Sequence, residues 1–314
     1  MTKISWELEL RVVHVVPGVD DAANGMMAVA RLIANEQGDA EVVDLDSPGA
    51  LRGRVKDAEE VWVHGMWLPM EWGVCSAALK AGKRLVRMTH GSLSPVYLER
   101  QGKWKKRLVG PIERWFLRRC EKIVATCEAE KEWIEAYLGK NCPKVEVTDI
   151  RRFFNLSRVE HVERVEKIDG ELHVLYLGRR HPLKGVEYLE EAVRQLKVRR
   201  PESEVLLRIE SNAFGEKKEK VWEWCDVLVL PTLSENFGLV VAEALERGKR
   251  VITTDGAPAW GEDVGHVEHV ESAGDFDGEV LSAYGGRLVY LKGYRDGTKE
   301  RRIELLKTAI EGCL

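Results

Sequence analysis

The sequence predicts an α/β protein of two facing domains, each built on a parallel sheet, with a cleft between them. Two observations carry this expectation. Short β-rich apolar runs alternate with longer segments of helical period, which is the pattern of parallel sheets covered on both faces. The alternation breaks at a charged stretch, Arg158 to Gly170, and then restarts. The chain length agrees: 314 residues is room for two domains at roughly 150 residues each.

Leu10 to Val16 reads as a buried strand closed by Pro17 and Gly18. Ala23 to Asn35 places Met26, Met27, Ala30, Ile33 and Ala34 on one helical face. Glu41 to Leu45, Glu60 to His64 and Arg84 to Met88 read as strands, the last two separated by a helix, Met70 to Ala81, that Gly82 ends. Pro111 to Cys120 reads as a helix opened by proline, where a missing N–H costs least. Lys122 to Thr126 is then a strand, and Glu128 to Leu138 a helix stopped by Gly139. Beyond the charged stretch come strands at Leu172 to Leu177, Val205 to Ile209, Asp226 to Leu230 and Arg250 to Thr254. Helices fall at Gly185 to Val198 and Phe237 to Glu246. The expected domains are residues 1–157 and 171–314, both Rossmann-like, joined by the linker 158–170, with the last helix able to pack back on the first domain. Ligands of such sheets lie beyond the carboxyl ends of the strands. The loops after Val16, His64, Met88, Leu177, Leu230 and Thr254 are therefore the places to seek chemistry.

Composition narrows the function classes. With 44% apolar residues the chain can build a sizeable core, which excludes a disordered chain. Lys and Arg number 48 against 52 Asp and Glu, so no overall positive field favours nucleic acid, and no nucleic-acid partner is expected. No stretch approaches the ~20 apolar residues of a membrane span. Acidic Glu7 and Glu9 precede the first apolar run, unlike a secretory signal. The six cysteines form no CxxC pair, which suggests free thiols in a reducing, cytoplasmic compartment. His266 and His269, and His173 and His181, lack carboxylate or cysteine companions at metal-site spacing, so no metal is expected. The loop after Val16 lacks a GxGxxG fingerprint, which weakens a nicotinamide enzyme.

The strongest local signal is Pro231-Thr-Leu-Ser-Glu235-Asn236-Phe237-Gly238-Leu239-Val-Val-Ala-Glu243. An apolar strand runs into a loop with a carboxylate and a glycine and then into a helix, so Glu243 lies about two turns beyond the loop. Backbone N–H groups of Asn236, Phe237 and Gly238 near that helix start suit hydroxyl or anionic oxygens. Each carboxylate can accept several hydrogen bonds from a polyhydroxylated ligand. The same spacing also serves a helix-capping acid followed by a solvated Glu.

This segment resembles the signature of retaining GT-B glycosyltransferases, in which two glutamates separated by seven residues flank an Asn/Gly-Phe-Gly core. A second match is Gly178-Arg179-Arg180-His181-Pro182-Leu-Lys184-Gly185, where the family has a strand, a Gly-Arg turn and Lys-Gly opening a helix. A third is His64-Gly65 followed by Thr89-His90-Gly91, similar to the His-Gly loop of the bacterial polysaccharide and lipopolysaccharide branch of the group 1, family 4-like enzymes. The matches fall in order across residues 60–256.

The resemblance implies roles. Arg179 and Lys184 would hold a donor diphosphate, with Arg180 able to replace Arg179. Glu235 would contact the donor sugar and Glu243 the ribose, with Gly178, Asn236, Phe237, Gly238 and Leu239 lining the donor. His90 would sit over the sugar, and Gly25 stands where the family carries a glycine pair near donor and acceptor, although a simple helix-start glycine reads the same. His64 ends a strand, where structural and functional roles are both open. The implied activity is transfer of a sugar from a nucleoside diphosphate sugar to a glycan or glycolipid hydroxyl, with no cofactor and no metal. A non-catalytic nucleotide-sugar-binding protein and a metal-independent nucleotide-sugar epimerase share the architecture; the second would need acid/base groups beyond those in the motifs.

Two features depart from, or add to, this pattern. Between the strand ending at Ile209 and the one starting at Asp226 the family has a further strand and helix, and the usual glycine-rich turn is replaced by Glu210-Ser211-Asn212. The C-terminal domain is thus expected to be shortened where the base is commonly cradled. Residues 101–122 are locally basic, with Trp104, Trp115 and Phe116 interleaved. Such a helix suits anionic lipid headgroups or a lipid-diphosphate acceptor, or else is a solvated face with Trp115 and Phe116 in the core.

Overall fold

The structure is a computed structural model that describes residues 11–17, 25–44, 48–100, 103–156, 170–202, 204–262, 279–283 and 287–314. Of the expectations above, Leu10, the loop residues 18–24, linker residues 158–169, His266 and His269 lie outside these. The chain divides into two compact units, Met1–Thr148 and Asp149–Leu314. Both are α/β, with sheets that are parallel apart from one strand of the second, as the alternating pattern requires.

The first unit contains β1 (Val12–Val16), α1 (Gly25–Gln37), β2 (Ala40–Asp44), α2 (Pro48–Asp57), β3 (Glu60–His64), α3 (Pro69–Lys80), β4 (Arg84–Met88), α4 (Pro95–Arg100), α5 (Lys103–Leu117), β5 (Lys122–Ala125), α6 (Glu128–Leu138) and β6 (Lys144–Val147). Its sheet runs β2-β1-β3-β4-β5-β6, parallel throughout. The direction of winding reverses between β1 and β3, the switch point where ligands of such sheets bind. Val13, Val15, Val61, Val63, Leu85, Ile123 and Ile134 are buried in one core, each side chain contributing about 1.5–3 kcal/mol.

The second unit contains β7 (Glu171–Leu177), α7 (Val186–Arg199), β8 (Glu204–Glu210), α8 (Gly215–Trp224), β9 (Val227–Val229), α9 (Leu239–Glu246), β10 (Arg250–Thr254), β11 (Glu279–Ala283), β12 (Leu288–Lys292) and α10 (Lys299–Glu311). The order β11-β12-β10-β9-β7-β8 has its own reversal between β7 and β9. The last helix, α10, packs on α7, where the buried Arg302 guanidinium donates to the Tyr188 hydroxyl at 3.0 Å and to the Tyr294 and Arg295 carbonyls.

Most predicted elements appear within two residues of their expected ends. One helix does not: α5 begins at Lys103, and Pro111 lies inside it rather than at its start. Proline removes only one backbone donor there, and the basic, aromatic turns before it continue the same helix. The strand β6 was not visible in the pattern because it is a polar edge strand, Lys-Val-Glu-Val, without a fully buried residue. In α2 two glycines and three alternating charges mask the helical period, leaving Val55 as a buried contact. Only α8 fills the expected gap after β8, with no strand in it. Strand β11 is antiparallel to β12, since the four residues between them are too few for a parallel crossover.

Candidate functional site

In the second unit, three loops meet beyond β7, β9 and β10, and backbone contacts lock them together. From Gly178 the chain turns through Arg179 and Arg180 into a short 3₁₀ turn, Pro182–Lys184, capped by His181 Nδ1, which accepts from the Leu183 amide at 3.1 Å. Gly185 follows in the left-handed region at φ +64°. A Cβ there would lie 2.1 Å from the Pro231 carbonyl oxygen, so only glycine lets the turn rest on the end of β9. The Leu233 amide and the Thr232 hydroxyl both donate to the Leu183 carbonyl, at 2.8 and 3.1 Å. The Glu235 amide donates to the Gly256 carbonyl at 2.8 Å, tying in the loop after β10.

This framework brings Lys184 and Glu235 together: the ammonium and Glu235 Oε2 are 2.5 Å apart, both side chains partly buried. Of the three donors on the Lys184 ammonium, one serves Glu235 and a second reaches toward the Ser234 carbonyl at 3.4 Å. The third can meet an incoming anion. Arg180 is held by Glu190 at 2.5 Å, whereas Arg179 is exposed, and no described carboxylate pairs with its guanidinium. Arg180 is thus engaged on α7, a pairing that Arg179 does not share.

Glu243, in the second turn of α9, is partnered by a residue absent from the sequence reading. Lys218 of α8 sits 2.7 and 2.8 Å from its two oxygens. Phe237 is 2% exposed and packs on Trp260, whose indole N–H donates to the Phe237 carbonyl at 2.6 Å. That side chain anchors the loop, and any ligand contact at Phe237 would be through its backbone. Gly238 takes φ +75° as the N-cap of α9, with Asn236 before it and Leu239 opening the helix, both partly exposed. Gly25 is exposed at the first residue of α1, with open space where a Cβ would go.

In the first unit, His90 lies just past β4 with φ +50°, an uncommon backbone for a non-glycine residue. A buried carboxylate fixes this loop. Glu130, in the first turn of α6, accepts from the Thr89 hydroxyl (2.7 Å), the Gly91 amide (2.6 Å) and both the amide and hydroxyl of Thr126 (2.8 Å each). The helix dipole favours its charge there. His90 Nε2 is 2.8 Å from His64 Nδ1, and His64 Nε2 is 2.9 Å from His14 Nδ1. His14 Nε2 is 2.7 Å from the amide oxygen of Gln37. Burial holds His14 at about 4, His90 at about 3 and His64 well below its ordinary 6.5, so the rings are neutral at physiological pH. Beside them, Arg87 is fully buried, donating to the Gly65 carbonyl at 2.7 Å and facing Glu113 at 3.5 Å.

Four residues escaped the sequence reading: His14, Gln37, Glu130 and Lys218. A usable signal existed for His14, a polar side chain within Val-Val-His-Val-Val, because such a residue in a buried strand needs a partner. Gln37, Glu130 and Lys218 lie on helices among other polar residues and carry no such signal.

Two family models match the chain. Glycosyltransferase Family 4 matches residues 42–158, and Glycosyl transferases group 1 matches residues 203–272. Both point to glycosyltransferases. The first match spans His64, His90 and Glu130 and the second spans Glu235 and Glu243, while Lys184 falls between them. Among curated proteins, the D-inositol 3-phosphate glycosyltransferase of Pseudarthrobacter chlorophenolicus is 26% identical over 42% of this chain and 39% of its own length. An uncharacterized 41.2 kDa protein in the cps region of Klebsiella pneumoniae is 28% identical over 49% of this chain and 48% of its own. The chain therefore spans less than half the length of these relatives. Among solved structures, Anabaena HepE in complex with UDP aligns with a TM-score of 0.55 at 14% identity, covering 96% of this chain and 94% of that one. The lipopolysaccharide outer core galactosyltransferase WaaB aligns at 0.50 with 14% identity, covering 96% and 90%. At such identities the likeness is one of fold, and the fold is that of GT-B glycosyltransferases.

Proposed function

We propose that this chain is a retaining glycosyltransferase that moves a sugar from a nucleoside diphosphate sugar to a hydroxyl of a glycan or glycolipid in surface polysaccharide synthesis, acting in the cytoplasm. The observation that carries the reading is the Lys184–Glu235 pair at the switch point of the second sheet, with Arg179 exposed on the same turn. The HepE structure contains UDP, which supports a nucleotide-sugar donor, and the likeness to a lipopolysaccharide outer core galactosyltransferase supports a polysaccharide role.

In this reading Lys184 and Arg179 neutralise charge that builds on the departing nucleoside diphosphate, and pre-aimed charge of this kind is often the largest catalytic contribution. Glu235, already oriented by Lys184, accepts hydrogen bonds from the sugar hydroxyls on its remaining lone pairs. Glu243 accepts from the ribose beside Lys218, and the backbone of Gly178 and of Asn236 to Leu239 lines the donor. His90 keeps the sugar-contacting role that the family resemblance implies. The bond from the anomeric carbon to the diphosphate breaks, the acceptor oxygen bonds that carbon, and the acceptor proton passes to the departing phosphate. The reading calls for no metal. Trp104, Leu108, Ile112 and Trp115, exposed on the basic helix α5, further support peripheral contact with an anionic membrane.

The test begins with a thermal-shift screen of nucleoside diphosphate sugars, in which a ligand at 100 times its dissociation constant adds about 2.7 kcal/mol. Transfer from the donor so identified, assayed with EDTA present, is expected to fall on the order of a hundredfold or more in Lys184→Ala and in Glu243→Ala while both variants stay folded. Near-normal turnover in both variants, or a strict need for metal, overturns the reading.

A further inference from the structure

His14 on β1, His64 at the end of β3 and His90 just past β4 belong to three adjacent strand positions and rise toward the carboxyl ends by two residues at each step. His14 is opposite Trp62 in the β1–β3 register, His64 lies two residues beyond Trp62, and His64 is opposite Met88, two residues before His90. Strand period aims the His14 and His64 rings to the same side, and His90, just past β4, joins the row through its 2.8 Å contact with His64. The Trp62 ring stacks on His14 with centroids 4.8 Å apart, and His14 and His64 are completely buried. The row has a definite beginning, the Gln37 side chain at the exposed end of α1, and a partly exposed end, His90.

We propose that Gln37, His14 and His64 form a hydrogen-bonded relay that holds His90 as the Nε2–H tautomer and leaves its Nδ1 as a bare hydrogen-bond acceptor for a saccharide hydroxyl. The Gln37 amide oxygen can only accept, so His14 Nε2 carries the proton of the 2.7 Å bond. A neutral His14 then has a bare Nδ1, so the 2.9 Å bond takes its proton from His64 Nε2. Neutral His64 has a bare Nδ1 in turn, and the 2.8 Å bond takes its proton from His90 Nε2. Three neutral rings supply three protons to three hydrogen bonds, and none remains for His90 Nδ1. No described residue bonds that nitrogen. Neutrality follows from burial, reinforced at His64 by the positive charge of Arg87 on β4. A chain of this kind also polarises cooperatively, which strengthens the terminal acceptor.

His14, His64 and Gln37 are on this account positioning residues that act through His90. A ligand with a hydroxyl facing His90 satisfies Nδ1, while one presenting a carbonyl or ring oxygen there leaves two acceptors opposed and is rejected. The role at the sugar rests on the proposed transfer activity; the tautomer does not.

The relay is tested on the full chain labelled with ¹⁵N-histidine. Long-range ¹H–¹⁵N spectra separate protonated from bare ring nitrogens, and His14→Asn, His64→Gln and His90→Gln each remove one ring for assignment. The expected pattern is Nε2 protonated and Nδ1 bare on all three rings. A proton on His90 Nδ1, or a cationic ring at neutral pH, overturns the proposal. In Gln37→Leu the accepting end is lost at an exposed position, and the pattern turns mixed; Gln37→Glu, which can only accept, restores it. In a transfer assay Gln37→Leu lowers kcat on the order of tenfold with KM for the donor unchanged, the scale of losing an orienting partner, and Gln37→Glu recovers it. If the spectrum holds and no donor is ever turned over, the relay stands and the transferase reading fails. If transfer is normal in Gln37→Leu and its His90 tautomer is unchanged, the relay fails alone.

Discussion

At the residue scale, the two candidate regions owe their precision to buried charges that serve the backbone. Glu130 accepts four hydrogen bonds from the segments before α6 and after β4, and no sequence motif advertises it. Glu130→Ala leaves those four buried donors without their acceptor, and the cost is on the order of 3 kcal/mol or more. The urea midpoint should fall accordingly, and Glu130→Gln should fall less because it keeps one accepting oxygen. A wild-type midpoint in Glu130→Ala would show that the loop carrying His90 is held by something else. Lys184 plays the comparable part in the second unit, where its pair with Glu235 sets the carboxylate before any ligand arrives.

At the element scale, α5 combines charge and apolar exposure in a way that no other described helix does. Trp104, Leu108, Ile112 and Trp115 are 65%, 70%, 42% and 48% exposed and recur at three- and four-residue spacing, so they share a face. Lys106 and Arg107 stand among them, and Arg119 lies over the Trp115 ring at 3.8 Å. Phe116 points the other way and is buried. The sequence reading offered a membrane-facing helix or an ordinary helix with both aromatics in the core, and the structure divides them: Phe116 is core and Trp115 is surface. The proposed peripheral contact would place this apolar face at the boundary of an anionic bilayer. Trp104→Ala combined with Leu108→Ala should reduce sedimentation of the protein with phosphatidylglycerol-containing vesicles severalfold and leave the urea midpoint within about 0.5 kcal/mol. Equal sedimentation of wild type and variant would remove α5 from any such role.

At the scale of the whole molecule, the histidine row makes stability depend on pH. His14, His64 and His90 have folded values below their ordinary 6.5, chiefly through burial. Their contribution is full above about pH 6.5 and is lost as pH falls toward 4, because unfolding then takes up protons. Glu71, raised by burial to about 7, acts in the opposite sense: its contribution is full below about pH 4.5 and is lost as pH rises through 7. Between those limits three groups outweigh one, and each net proton changes stability by about 1.4 kcal/mol per pH unit. The urea midpoint at pH 5 should therefore lie well below that at pH 7. A midpoint at pH 5 equal to or above the neutral one would mean that the buried rings are not neutral in the folded protein.

The alternation of apolar runs and helical periods was enough to place two parallel α/β units, because local burial patterns are written residue by residue. It failed at α2, at the polar edge strand β6 and at the proline inside α5, where the local pattern is weak and packing decides. The motifs around Lys184, Glu235, Glu243 and His90 were legible because each is contiguous in sequence. Their partners were not. Gln37, His14 and His64 meet only because β1 and β3 are neighbours at the reversal of winding, and Lys218 reaches Glu243 only because α8 packs beside α9. Sequence by itself determined which side chains could do chemistry; only the tertiary structure decided which of them face one another, since hydrogen bonds between residues far apart in the chain exist only once strand order and register are set.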